Sequence, residues 1–157
     1  MSALATAIVK AKPREKAGAR TGARYAFQAH VSLAKLLDLH EGGIDYRAIF
    51  DHFDDLAILD SSAMPSLADF FQIKGKESGA WTAATLCAVS KESPGTTVGK
   101  MFHHTTIFGA AVNSATFLTN APFRFELAGG AKSTPDHVKI PLTGLGPKDR
   151  ARIFGCP

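Results

Sequence analysis

Apolar and polar residues alternate with more than one period along this chain, and the period sets the element each stretch predicts. From Arg24 onward, Phe27, Val31, Ala34 and Leu37 fall at i, i+4, i+7 and i+10, with Leu33 and Leu36 widening the stripe. That is the spacing of one helix face. Glu41–Gly42–Gly43 stops it, because glycine takes the left-handed conformation that closes a helix. Upstream, Met1–Lys12 shows no clear period, and Pro13, Gly18 and Gly22 mark Pro13–Ala23 as a loop. Downstream the runs shorten. Ala48–Phe53 is apolar and aromatic apart from Asp51 and His52, and Leu56–Leu59 and Leu67–Ile73 are further apolar runs. Between the last two, Ser61–Ser66 is turn chemistry, serines around a proline that cannot continue a ladder. Short apolar runs bounded by turns predict strands and a hairpin.

The second half alternates again. Gly75–Gly79 predicts a polar loop, and Ala80–Lys91 a helix with Trp81 near its start and Leu86 and Val89 inward, broken at Ser93–Gly95. Thr96–Phe108 predicts another helix, with Val98, Met101, Phe102 and Thr105 on one side. Its two histidines, His103 and His104, cannot share a face, since adjacent helical residues point apart, so both are expected at the surface or core edge. Ser114–Ala121 reads as a strand, Phe123–Leu127 as a second short strand after Pro122, and His137–Leu142 as a final one. Asn120 is expected to cap the loop at the strand's exit. Ala128–Thr134 is a glycine-rich turn without the Lys-Ser/Thr ending of a phosphate loop. Pro147–Ile153 predicts a short C-terminal helix. Strands and helices mixed in this order make an α/β (α+β) domain.

Size and composition narrow the class. A chain of 157 residues makes one domain (1–157), burying roughly two-thirds of its unfolded surface. No run approaches the ~20 apolar residues of a membrane span, and the N-terminus lacks the order of a secretory signal, so a cytoplasmic protein without membrane partner is expected. Cys87 and Cys156 show no metal-ligand spacing, and Cys87 reads as a core filler. Net charge is +4 and the pI near 9.2, compatible with a polyanionic partner. Lys10, Lys12, Arg14, Lys16, Arg20 and Arg24 cluster in the basic lead-in 1–23 and its edge, offset by Glu15. Such a run reads either as a solvated, partly flexible arm or as a set of phosphate contacts.

The candidate chemistry lies in the hairpin. Alternation places Gln72 and Lys74 on one side of their strand and Phe71 and Ile73 on the other, into a core. Pairing of Leu56–Leu59 with the Phe70–Gly75 segment would set Asp55 beside Gln72. One carboxylate, one amide oxygen and one ammonium then converge. Mg²⁺ takes one or two carboxylates with waters and phosphate oxygens, and a neighbouring lysine can orient a water or stabilise phosphate charge. Asp51 and Asp54 are lesser candidates, because parity cannot seat Asp54 and Asp55 on one face. Acids at a strand junction are also common turn formers, and a lone lysine is usually a surface residue.

At these residues the chain resembles the PD-(D/E)XK restriction-endonuclease-like nucleases, and more closely the nuclease domain of anti-phage (CBASS) effectors that also carry a SAVED nucleotide-sensing domain. The matching segments are Arg14–Gln28, Phe50–Leu59, Phe70–Lys76 with Trp81, Gly99–Phe102 and Phe117–Phe123. The resemblance implies a mixed central β-sheet flanked by helices. It implies a Mg²⁺-dependent endonuclease, with Mn²⁺ a substitute, cutting double-stranded DNA with little sequence preference. Asp55 and Gln72 would be metal ligands with the Ile73 carbonyl as a further candidate, Lys74 the catalytic amine, and Arg14, Lys16, Arg20, Arg24 and Lys76 DNA contacts. Activation would come from a C-terminal sensor domain, or a partner ATPase, absent from these residues, with several copies brought together as a homo-oligomer. The chain would then be the N-terminal part of a longer effector.

One departure stands out. Many PD-(D/E)XK enzymes carry a glutamate on the first helix, whereas this helix has Gln28 inside and acids only near its end, Asp38 and Glu41, with Glu15 upstream. A decayed, DNA-binding or assembly module on the same fold is therefore the alternative, and a small-molecule phosphoesterase a third reading.

Overall fold

The computed structural model describes residues 17–89 and 95–156, with the side chains of residues 17–20 outside the description. Among the described residues, one mixed sheet of order β1-β2-β3-β4 carries the architecture, formed by β1 (Arg47–Phe50), β2 (Leu56–Leu59), β3 (Ala68–Ile73) and β4 (Val112–Leu118). The first three strands run antiparallel, and β4 joins β3 in parallel. A parallel neighbour needs a crossover, and here it is built by α2 (Ala83–Leu86) and α3 (Thr97–Phe108). Helix α1 (Ala17–Glu41) precedes the sheet and α4 (Pro147–Phe154) closes the description. The expected α+β architecture, a mixed sheet with flanking helices, is thus observed.

Side-chain alternation divides the sheet into two covered faces. Leu56, Ile58, Phe71 and Ile73 pack under Phe27, Val31, Leu36 and Leu39 of α1. Ala57, Ala68 and Phe70 face the other way, with Phe108 of α3 packed against them. A third cluster, Leu86, Val98, Phe125, Leu145 and Ile153, joins α2, α3 and α4 to the loops after β4. Cys87 and Cys156 both pack against it. Burial first, then the neighbouring Cys156, pushes the Cys87 thiol up to about 12, so Cys87 stays a protonated filler at neutral pH.

Several sequence expectations change. The helix begins at Ala17 rather than after a loop to Ala23; alanines at positions 17, 19 and 23 favour helix enough to carry Gly18 and Gly22. Its buried side keeps only part of the stripe read from the apolar residues: Phe27, Val31 and Leu36 pack on the sheet. Leu33 and Leu37 are exposed, at 55% and 49%, while Ser32 is buried and Lys35 sits over the Phe71 ring. At about 100° per residue, Gln28, Ser32, Lys35 and Leu39 form the centre of the inward face. That centre is largely polar. The helix does stop at the predicted glycines, with Gly43 at φ 64° and its N–H on the His40 carbonyl at 3.0 Å.

Strand β2 has the predicted bounds, but β1 ends at Phe50 and gives way to bends over residues 51–55, opened by Asp51 at φ 50°. Aspartate tolerates this left-handed conformation better than most residues. The turn between β2 and β3 is organised by Asp60, whose carboxylate accepts from the Ser66 and Leu67 backbone at 2.8 and 3.0 Å. The helix expected over residues 80–91 is one turn, started by a Thr82–Thr85 capping box after Trp81 pairs with Phe123. Val89 is exposed rather than inward, and Lys91 lies outside the described residues. Residues 123–127 form isolated bridges, and residues 137–142 are irregular up to the 3-10 turn that opens at Leu142, so neither is a strand.

Candidate active site

The β2–β3 register, Leu56 opposite Phe71 and Ala57 opposite Phe70, extends one step to set Asp55 opposite Gln72. The contact is direct. Asp55 Oδ2 accepts from Gln72 Nε2 and from the Ile73 backbone N–H. Its other oxygen, Oδ1, accepts from Gln28 Nε2 at 2.8 Å, and the same amide nitrogen reaches the Ile73 carbonyl at 3.2 Å. A first helix and two strands therefore converge on one carboxylate. Charge-assisted bonds of this kind are about twice as strong as neutral ones, so Asp55 is held as a fixed acceptor.

Lys74 follows two residues after Gln72 on the same side. Its backbone N–H donates to the Leu118 carbonyl at 2.9 Å, so β4 fixes the strand's exit. The amine donates to Thr97 Oγ1 of α3 at 3.3 Å. Burial, and next the positive charge of Lys100, hold the Lys74 ammonium below its ordinary range, against the pull of Asp55 and Asp54. Asn120 clamps the following residues: its Oδ1 accepts from Lys76 N–H at 2.8 Å and its Nδ2 donates to the Lys76 carbonyl at 3.3 Å. A Cβ at Gly75 would stand 3.2 Å from the Phe27 ring, so a side chain there requires that ring to give by a few tenths of an ångström.

Asp54 turns to a different partner. Its Oδ2 lies 2.7 Å from His104 Nε2, with both side chains 4% exposed. Burial, foremost, raises the Asp54 carboxyl above its ordinary value, and His104 draws it back down. The His104 ring stacks on Phe70 at 4.2 Å between centroids, and its Nδ1 is buried without a hydrogen-bond partner among the described residues. His103 points outward, as the facing argument requires, but His104 is buried in the domain rather than at its surface or edge. Asp54 and Asp55 thus bond to different elements yet line one cleft of about 270 Å³ with Asp51, Gln72 and Lys100.

The expected DNA contacts separate. Arg24 is exposed and edges a second groove of about 380 Å³ between α1 and the segment after β3. Lys76 lines the same groove, but its amine donates to the Ala80 carbonyl at 2.8 Å and lies 4.3 Å from the Trp81 ring centroid. Arg14, Lys16 and Glu15 lie outside the described residues, and of Arg20 only the backbone is described. Three contributors escaped the sequence reading of the site: Gln28, the Asp54–His104 pair, and Lys100. Gln28 had a signal, a polar residue between Phe27 and Val31, two inward-packing positions of the predicted stripe. His104 had none, because nothing in its spacing links it to Asp54.

Among the described residues no three His, Cys, Asp or Glu side chains gather as a metal-binding group, so a tetrahedral zinc-type centre does not fit. For a hard cation that keeps its waters and takes few protein oxygens, the oxygens on offer are those of Asp55, the Ile73 carbonyl and the Gln72 amide, and here Asp55 and the Ile73 carbonyl accept from N–H donors.

Against known proteins, the model of the family described as Cap4, dsDNA endonuclease domain, matches residues 16–142. The chain belongs to this family. The match spans α1 through the loops after β4 and so contains every residue of the cleft. At the level of the Cap4 family, the chain is a DNA endonuclease domain of anti-phage defence. No curated protein and no solved structure matches it. Among the described residues no helix is long and apolar enough to cross a membrane.

Proposed function

We propose that this Cap4 nuclease domain is a divalent-metal-dependent enzyme that hydrolyses phosphodiester bonds in double-stranded DNA with little sequence preference. Its activity depends on a separate nucleotide-sensing domain or partner that brings copies together. The observation that carries the reading is the convergence on Asp55 of Gln72, Ile73 and Gln28, at a cleft whose far wall supplies a lysine.

Asp55 would hold the cation, with the Ile73 carbonyl and the Gln72 amide beside it. A half-turn of the Gln72 amide replaces its N–H groups by Oε1. When bound, Mg²⁺ or Mn²⁺ supplies Lewis-acid charge next to the phosphate. Lys74 orients the attacking water, and burial loosens the amine's hold on its proton relative to an ordinary lysine. As an ammonium it then faces the charge that develops on the phosphate. Gln28 and the Ile73 N–H keep the carboxylate from rotating out of place.

The competing reading, a DNA-binding or assembly module, draws on one observation. Both oxygens of Asp55 already accept from N–H donors, and an amide stands where a second acid would be. Plasmid incubated with the chain at high concentration decides between them. The nuclease reading expects nicked and linear products with Mg²⁺, none with chelator, and none from Asp55→Asn or Lys74→Ala. A plasmid shifted but uncut, with chelator making no difference, establishes the binding module. Hydrolysis of small phosphodiesters with intact plasmid establishes a phosphoesterase.

A further inference from the structure

Helix α3 is aimed at the cleft along one side. Thr97, Lys100 and His104 fall within about 60° of arc at 100° per residue. The outer two are pinned to opposite halves of the site: Thr97 accepts from the Lys74 amine at 3.3 Å, and His104 meets Asp54 at 2.7 Å. Lys100 stands between these two fixed points and lines the cleft with Asp51, Asp54, Asp55 and Gln72. Its backbone is held too, with its N–H on the Thr96 carbonyl at 3.1 Å in the first turn, and Thr96 itself is fully buried.

The charge of that cleft poses a problem for an anionic substrate. Three aspartates line it, and the amine of Lys74 is turned to Thr97 and half-buried. A phosphodiester entering among those carboxylates needs a cation from the protein as well as any bound metal. Lys100 is the lysine in the lining, close enough to Lys74 for its charge to lower that amine's proton affinity. An ammonium is a compact point charge with three donors, suited to the non-bridging oxygens of one phosphate.

We propose that Lys100 is a substrate-binding residue that holds the non-bridging oxygens of the phosphate entering this cleft, so that α3 supplies the phosphate grip and the sheet supplies the acid and the catalytic amine. The proposal rests on the nuclease reading above. It differs from a structural role, in which Lys100 only offsets the charge of Asp51, Asp54 and Asp55.

The test compares the whole chain with Lys100→Met, which keeps the aliphatic stem, and Lys100→Arg, which keeps the charge. Binding to a labelled duplex is measured in chelator across a salt series, and plasmid cleavage is measured in Mg²⁺. The grip predicts that Lys100→Met stays folded and that the slope of log affinity against log salt falls by about 0.9, one phosphate contact. KM rises roughly ten- to a hundredfold, the loss of one charge-assisted hydrogen bond, with kcat changed less. Lys100→Arg recovers most of the slope. An unchanged slope and KM in Lys100→Met overturns the proposal. So does a variant with lowered Tm whose slope still matches wild type. If the wild type does not cut at all, the nuclease reading fails, and the binding series still decides whether Lys100 contacts a phosphate.

Discussion

The Gln28 amide meets the Asp55 carboxylate at 2.8 Å across the junction of α1 and the sheet. By the PD-(D/E)XK resemblance, many such enzymes carry a glutamate on this helix. Gln28→Glu would set two carboxylates against each other, an arrangement that disfavours ionisation of both unless a cation sits between them. The variant is expected to melt several degrees below wild type in chelator and to recover most of that loss in millimolar Mg²⁺ or Mn²⁺. Thermal melts with and without metal check it, and a deficit indifferent to metal would count against a cation at Asp55.

Asp55 satisfies three N–H donors at once, one of them the Ile73 backbone amide. Asp55→Ala leaves those donors facing each other and is expected to cost about 2–4 kcal/mol, since unmet buried polar groups cost about 1–3 kcal/mol each. Asp55→Asn keeps one acceptor oxygen and should lose about half as much while cutting no DNA. Urea unfolding of both variants separates the structural loss from the loss of cleavage.

Lys74 is held below its ordinary range chiefly by burial, so the fold carries a cost for keeping the amine charged. A group whose folded value is depressed binds fewer protons folded than unfolded, and stability rises with pH between the two values. Lys74→Met is therefore expected to abolish cleavage yet melt on the order of 1–3 °C above wild type at pH 7. That advantage should shrink as the pH approaches the lysine's ordinary 10.5. Paired melts at pH 7 and pH 9.5 test the sign.

His104→Ala removes the partner of a buried carboxylate and leaves a hole against Phe70. Breaking a buried pair in this way typically costs about 3–5 kcal/mol. Burial then raises the Asp54 carboxyl with no histidine to offset it. A folded value above the ordinary 3.8 means that the folded state holds its proton longer. The variant's stability should therefore fall as the pH rises from the carboxyl's ordinary 3.8 through its raised folded value. A flat profile over that range would show Asp54 to be solvated.

The local pattern determined the strands of the hairpin, their turn and the parity of Gln72 and Lys74. Each follows from alternation and from residues that cannot continue a ladder, and these are properties of neighbours in sequence. It also fixed the helix end at Gly42 and Gly43, the span of α3 and that of α4. Tertiary structure decided the inward face of α1. Gln28 and Ser32 lie at its centre, and a search for apolar periodicity passes over polar residues whose partners come from a sheet formed later in the chain. It also decided that Asp54 belongs to His104, fifty residues away, and that Lys100 shares a cleft with Asp55. Those pairings arise because β4 adds in parallel and its crossover lays α3 over the sheet, and no local spacing encodes where a crossover helix comes to rest.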